Sequence, residues 1–461
     1  MSSQPKKIVF IPVEIISREL DYKMLLAATL ATPDTYCFIG QHNLLNALLK
    51  DLKGGVYFGK NIFPDRLPCN MSYYELLKEQ NFSLAFFHEE GGVLGGEEQE
   101  WKIELQKQVD PKYLSNDDAI LSWGQFQKEF YETLISKSEP KVHNVGCPRF
   151  DLRPDDELYL LNEKVSRVKE SGYILFNTNF AAPNHHVDNL AWYKFTVKDN
   201  SDIDNTLNAL SIYNESMQVM GNFLSMITEL LIQFPEKKFY LRPHPSESID
   251  FYRVLFESFQ NIEIVRKYTA VEWLLGCDLL IQNGCTTSVE AHFMNKKIIS
   301  YYPSSNKSNV NITQGIGYRA SNIDEVKEIL MNLENKPVQN NNLEDISKLI
   351  NNFVSSSSLH SIVDILNTML NAKDAVPINI SKIKFSAYVH SIKIKIKELG
   401  RFLSKERSNN IKYFRSNFPG FKSSIIKEKL SNIEGVVDKD LQMTFVTEEL
   451  FLITQQNNSN K

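Results

Sequence analysis

FYLRPHPSESIDFY, residues 239–252, runs from an apolar segment through Arg242 and a His244 held between Pro243 and Pro245, then into a helical pattern. The two prolines stiffen the backbone where a strand should end, so the stretch reads as a strand-to-helix junction. Around it, YILFNTNF (173–180), IEIVRKY (262–268), CDLLIQNG (277–284) and KKIISYYP (296–303) are further strand candidates. Helical patterns are expected at 205–233, 249–258, 286–294 and 323–334. Apolar runs without strict alternation indicate strands buried on both faces, hence a parallel sheet wound with helices.

The first part of the chain repeats this order. KIVFIPVEI (7–15), TYCFIG (35–40), GVYFG (55–59), LAFFH (84–88), AILSW (119–123) and KVHNVG (141–146) are strand-like, with helical segments such as YYELLKEQ and FQKEFYETLISK between several of them. A polar helical stretch, DDELYLLNEKVSRVKESG (155–172), separates the two series. The expected fold is therefore α/β, with two doubly wound parallel-sheet domains facing a cleft: residues 1–154 on the acceptor side and 155–375 as the nucleotide-binding domain. The Asn-rich 339–352 and VSSSSL (354–359) suggest a boundary or surface loops. Residues 376–461 read as a basic helical extension. Between Lys382 and Lys429 lie 13 Lys/Arg against 3 Glu, interleaved with Ile, Phe and Tyr. That pattern reads as a solvated helical face, as an interfacial helix on an anionic membrane or, least, as a nucleic-acid patch without a motif, the further alternative being a tail that packs back across the N-terminal domain.

Composition narrows the classes. The chain has 461 residues, 42% hydrophobic and 23% charged, with a net charge of −5. This is the profile of a soluble globular protein and gives no global case for nucleic acid. Five cysteines form no CxxC pair and read as reduced thiols, and the N-terminus lacks a signal-peptide core. The expected location is cytoplasmic, with peripheral attachment to the inner membrane face through 382–429.

In open α/β sheets, ligands bind beyond the carboxyl ends of the strands. Four polar clusters fall there: HEEGG (88–92), NTNF (177–180), RPHP (242–245) and QNGCTTS (282–288). Arg242 can fork onto a phosphate, and His244 can donate to one or protonate a departing one. Asn283, Gly284, Thr286, Thr287 and Ser288 begin a helix whose backbone N–H groups and hydroxyls suit an anion, though plain N-capping would use the same residues. Glu89 and Glu90 would point to opposite faces if extended, one toward substrate and one structural. A partly desolvated carboxylate there would have a raised pKa suited to a general base. Glu14 and Arg18 follow the first strand and either reach the cleft or serve in a structural salt bridge. Asp202-Ile203-Asp204 is a DxD, but it reads as a helix cap or solvated loop, and His185-His186 has no ligand set around it. No metal is called for. Arg149 and Asp151 read as braces of an interdomain hinge.

Together these residues carry a resemblance. Glu89-Glu90-Gly91, His244-Pro245 and Thr286-Thr287-Ser288 resemble, in order, the acidic, HP and Ser/Thr motifs of bacterial sialyltransferases and capsule Kdo-transferases. The wider set, IPVEIISRELD, FHEEGG, LSWGQFQ, VGCPRFDL, FNTNF, LRPHPSE and NGCTTSVEAHFMNKKIISY, is similar to bacterial surface-carbohydrate biosynthesis proteins and spans residue 7 to about 320. The resemblance implies a GT-B glycosyltransferase that needs no cofactor and no metal. It would move an ulosonic or nonulosonic acid from a CMP-sugar to a glycan or lipid-linked acceptor. It implies Glu89, Glu90 and His244 as catalytic residues. Arg242, His244, Pro245, Asn177, Asn179, Asn283, Gly284, Thr286, Thr287 and Ser288 would hold the nucleotide, and Glu14, Arg18, Gly91 and Gly92 would flank the acceptor. Either glutamate could be base or nucleophile, and inversion and retention stay open. The alternatives are a UDP-sugar epimerase of the same architecture and a non-catalytic assembly protein recruited to membranes by its basic tail.

Overall fold

A computed structural model describes residues 5–60, 62, 72–135, 140–197, 202–303, 312–338, 343–353, 357–401, 414–415 and 417–456. Cys69, residues 339–342 and 354–356 of the expected boundary, and 402–413 of the basic stretch lie outside them. The chain forms two compact units. Unit 1 comprises Met1–Gly92, Trp101–Val165 and Ser347–Lys461; unit 2 comprises Val93–Glu100 and Ser166–Ile346.

Unit 1 holds β1 (Pro5–Val13), β2 (Thr35–Gln41), β3 (Gly55–Phe58), β4 (Phe82–Phe87), β5 (Ala119–Ser122) and β6 (Lys141–Asn144). These run parallel in the order β2-β1-β3-β4-β5-β6. The order reverses between β1 and β3, which is the switch point of a doubly wound sheet. All six residues of β4, FSLAFF, are buried, as a strand covered on both faces requires. Phe58 stacks on Phe87 with ring centroids 5.3 Å apart.

Unit 2 holds β7 (Tyr173–Asn177), β8 (Phe239–Arg242), β9 (Ile262–Ile264), β10 (Cys277–Gln282), β11 (Lys297–Tyr301) and β12 (Tyr318–Ala320). All are parallel, ordered β12-β11-β10-β7-β8-β9. Counted within the unit this is 3-2-1-4-5-6, the order of dinucleotide-binding domains, with its switch point between β7 and β10. The helix Ile203–Gln233 lays Val219, Phe223, Met226, Ile227 and Leu230 onto Phe176, Phe239, Leu279 and Ile281. Asp202 caps this helix by accepting from the Asn205 N–H at 3.0 Å, so the DxD is a helix start, as the simpler reading had it.

Two expectations need correction. The boundaries fall elsewhere: 155–165 and the return segment from Ser347 belong to unit 1. Asp151 explains the return, because its carboxylate accepts from the N–H groups of Ser358 and Leu359 and from the Asn352 amide. It thereby anchors the helix Ser358–Asn371 within unit 1 rather than bracing a hinge. The extension, moreover, is not only helical. After the helices Ile380–Arg401 and Ser423–Val437 the chain forms β14 (Leu441–Thr447) and β15 (Leu450–Gln455). β15 pairs antiparallel with β2, and β13 (Val376–Pro377) with the start of β1.

Candidate functional site

In unit 2 the polar residues meet along one row. The β-register sets Arg242 beside Asn177, Asn177 beside Gln282 and Gln282 beside Ser300, at the carboxyl ends of β8, β7, β10 and β11. Neighbouring strands lie about 4.8 Å apart, so the switch point is flanked by a short polar ridge.

Arg242 is the unusual member. Its Nε is buried without a hydrogen-bond partner, and no carboxylate among the described residues pairs with it. Burial holds its pKa below the ordinary arginine value, opposed by Cys285 and Glu290. A buried donor left unmatched is costly, and a guanidinium is well matched by an oxyanion. The Asn177 amide donates to Thr287 Oγ1 at 2.9 Å while its own oxygen is buried without a partner.

His244 is fixed by its loop. Its backbone N–H donates to Glu247 and its Nδ1 accepts from the Ser246 N–H at 3.2 Å, which leaves the neutral ring's proton on Nε2. Pro245 is exposed at the tip. Glu247, which the sequence reading did not assign, holds the whole arrangement. Its buried carboxylate accepts from Thr178 Oγ1, the Phe180 N–H, the His244 N–H and the Tyr252 hydroxyl. It thus ties the loop after β7 to the loop after β8. Burial raises its pKa in spite of these donors. The signal was present in LRPHPSE, where a carboxylate precedes a helix, but its partners are up to 69 residues distant.

The TTS segment differs from expectation. Gln282 Oε1 takes the N–H groups of Gly284 and Cys285 at 2.5 and 2.7 Å. Thr287 Oγ1 receives Asn177, and Ser288 Oγ donates to the carbonyls of Cys285 and Thr313. The turn is built through Gly284 at φ +97°, and most donors expected to face an anion are used to hold it. Thr286 caps nothing with its side chain. Asn179 donates through its backbone to Asn283 Oδ1 and through its amide to the Gly284 carbonyl, so the two asparagines lock the β7 and β10 loops together. Beside them is a cavity of about 270 Å³ lined by Asn179, Phe180, Glu215, Asn283, Gly284 and Tyr302. The Tyr302 hydroxyl donates to Glu215 at 3.2 Å.

Unit 1 gathers its charges at the ends of β1, β3 and β4. His88 to Gly92 form a turn, not an extended segment, yet the two glutamates do divide. Glu89 is buried and accepts from the Tyr22 hydroxyl and the Lys23 ammonium, each at 2.6 Å. Burial works to raise its pKa, but Lys23, Tyr22 and Arg18 bring it down to about 2. Glu90 is exposed and pairs with Arg18 at 2.5 Å. Burial again opposes, and Arg18, Arg149 and Lys60 lower its pKa. The expected raised carboxylate is therefore absent from this pair: the adjacent cations outweigh desolvation. Burial and Lys60 push His88 down to about 4. Glu14 pairs with Lys60 at 3.2 Å instead of with Arg18. Gly92 has a packing reason: a Cβ there would stand 2.6 Å from Trp123 and 2.7 Å from the Leu349 carbonyl. Gly91 is held less tightly, its nearest contacts being 3.2 and 3.3 Å.

The two strand orders define a protein of two doubly wound, Rossmann-like α/β units. No family profile and no curated protein sequence matches the chain. Solved structures that are similar include UDP-GlcNAc 2-epimerase of Methanocaldococcus jannaschii, in complex with UDP-GlcNAc and UDP, at 14% identity over 79% of this chain and 99% of that one, TM-score 0.45. MnaA of S. aureus with UDP is similar at 11% identity over 80% and 97%, TM-score 0.42. The wall teichoic acid polymerase TagF is similar at 14% over 80% and 90%, TM-score 0.39.

Proposed function

We propose that the chain is a metal-independent glycosyltransferase of surface polysaccharide or glycolipid biosynthesis. It moves an ulosonic or nonulosonic acid from a CMP-sugar to a glycan acceptor. The observation that carries this reading is Arg242, a guanidinium with an unmatched Nε at the end of β8, next to a His244 locked by Glu247. One such cation with one imidazole suits a single phosphate, which is the leaving group of a CMP-sugar. In the reaction the bond from the anomeric carbon to the phosphate oxygen breaks. Arg242 and the Nε2–H of His244 stabilise the charge left on CMP. The acceptor hydroxyl oxygen bonds to the anomeric carbon, and its proton passes to a carboxylate, the part that the resemblance of HEEGG gives to Glu89 or Glu90. Of the two, Glu90 is the exposed one, with Arg18 holding its pKa down, whereas Glu89 is committed to Lys23 and Tyr22.

The test is a thermal-denaturation panel of CMP, CDP, UDP and GDP. A ligand at a hundred times its Kd stabilises by about 2.7 kcal/mol, and selective stabilisation by CMP is expected. Selective stabilisation by UDP would favour the epimerase reading, and no response to any nucleotide would refute both. Transfer from a CMP-sugar should persist in chelator.

A further inference from the structure

The helix Ile380–Arg401 has two apolar faces. One faces unit 1: Ile383, Ala387 and Ser391 are buried, Ser386 and His390 bond Asp51, and Ser391 bonds Glu449. The other consists of Phe385, Tyr388, Ile392, Ile396 and Leu399, which are 39% to 70% exposed. Their spacing of three or four residues, at about 100° per residue, places them in one stripe along the outer side. At the same angular step Lys382 and Lys393 border the stripe on one side, and Lys384 and Lys395 on the other, Lys395 also pairing with Glu448. The single acid of the helix, Glu398, is turned away and bonds Arg415.

A contiguous exposed apolar stripe marks a contact surface. A second copy is a poor occupant, because a two-fold interface sets the same patch against itself and would bring the lysine rims together, with Glu448, already paired with Lys395, as the carboxylate beside them. An anionic lipid surface matches both features: the apolar side chains sink to the headgroup–acyl boundary and the lysines extend to the phosphates. We propose that this helix face docks the protein in plane on an anionic bilayer. Among the described residues no helix is long and apolar enough to cross a membrane, so the attachment is peripheral. The inference does not depend on the donor reading.

Full-length protein should co-sediment with vesicles of phosphatidylcholine and phosphatidylglycerol but not of phosphatidylcholine alone, and the binding should fall as salt rises. Replacing Lys382, Lys384 and Lys393 by Gln should lower partitioning about 100-fold. The double variant Phe385→Ser, Ile396→Ser should lower it at least about tenfold. Both variants alter exposed residues, so unchanged melting temperatures verify folding. Equal binding to the two vesicle types, or wild-type binding by both variants, would overturn the proposal. So would a wild-type dimer that the serine variant converts to monomer without any lipid binding, which would assign the stripe to a second copy.

Discussion

A buried donor without a partner costs folding energy, and Arg242 Nε is held in that state at the end of β8. Arg242→Met should therefore leave the ligand-free protein as stable as before or more so, while removing the CMP response, as measured by thermal denaturation with and without CMP. The two glutamates should separate just as clearly. Glu90→Gln should keep the fold and CMP binding while slowing transfer by about 10² to 10⁴, seen as kcat in a product assay. Glu89→Gln should instead cost about 1–3 kcal/mol of stability in urea denaturation, since it takes from buried Lys23 and Tyr22 their shared carboxylate, while Lys23 keeps Glu19. Because the folded pKa of Glu89 lies below its ordinary value of 4.5, near 2, its contribution is present above pH 4.5 and is lost as pH falls through 2. The wild type should thus lose its advantage over Glu89→Gln in that interval, and a constant difference down to pH 2 would contradict the pairing. The residue types at RPHP and HEEGG were legible in the sequence. Their pKa directions were not, because Lys23 and Tyr22 meet Glu89 only where the turn after β4 reaches the helix Ile16–Leu30.

At the scale of elements, the strand ends were readable where an apolar run gives way to polar residues, as at Asn177, Arg242 and Gln282, and the bounds agree within a few positions for β7, β8, β10 and β11. Less readable was what holds the loops. Glu247 and Gln282 each serve several donors, and a buried acceptor of that kind leaves no periodic trace. Glu247→Ala strands the Thr178, Phe180, His244 and Tyr252 donors. It should cost about 2 kcal/mol or more and weaken CMP binding together with stability. Loss of stability with unchanged CMP affinity would separate the brace from the site. The hairpin of β14 and β15 was missed because its apolar residues follow a basic stretch whose charge dominated the reading; TFVTEELFLITQ pairs with β2, a strand about 400 residues earlier.

For the whole molecule, this hairpin changes what the extension is. Leu450, Phe451, Leu452 and Ile453 are buried against the edge of β2, so residues 376–461 complete unit 1. Truncation near Ala375 should expose that edge and cause aggregation, visible by light scattering. Membrane docking is accordingly tested by surface substitutions and not by deletion. The two-domain organisation was legible from the repeated strand–helix series. The boundaries were not, since the chain leaves unit 1 and returns to it at Ser347 through contacts such as those of Asp151 that join residues some 200 positions apart. The central claim is that the phosphate of a CMP-sugar is held at the end of β8, and the most direct measurement is calorimetric titration of CMP into the wild type and Arg242→Ala. The account predicts CMP binding that weakens by roughly 1.5–3 kcal/mol in the variant; equal CMP affinity in the two proteins would contradict it.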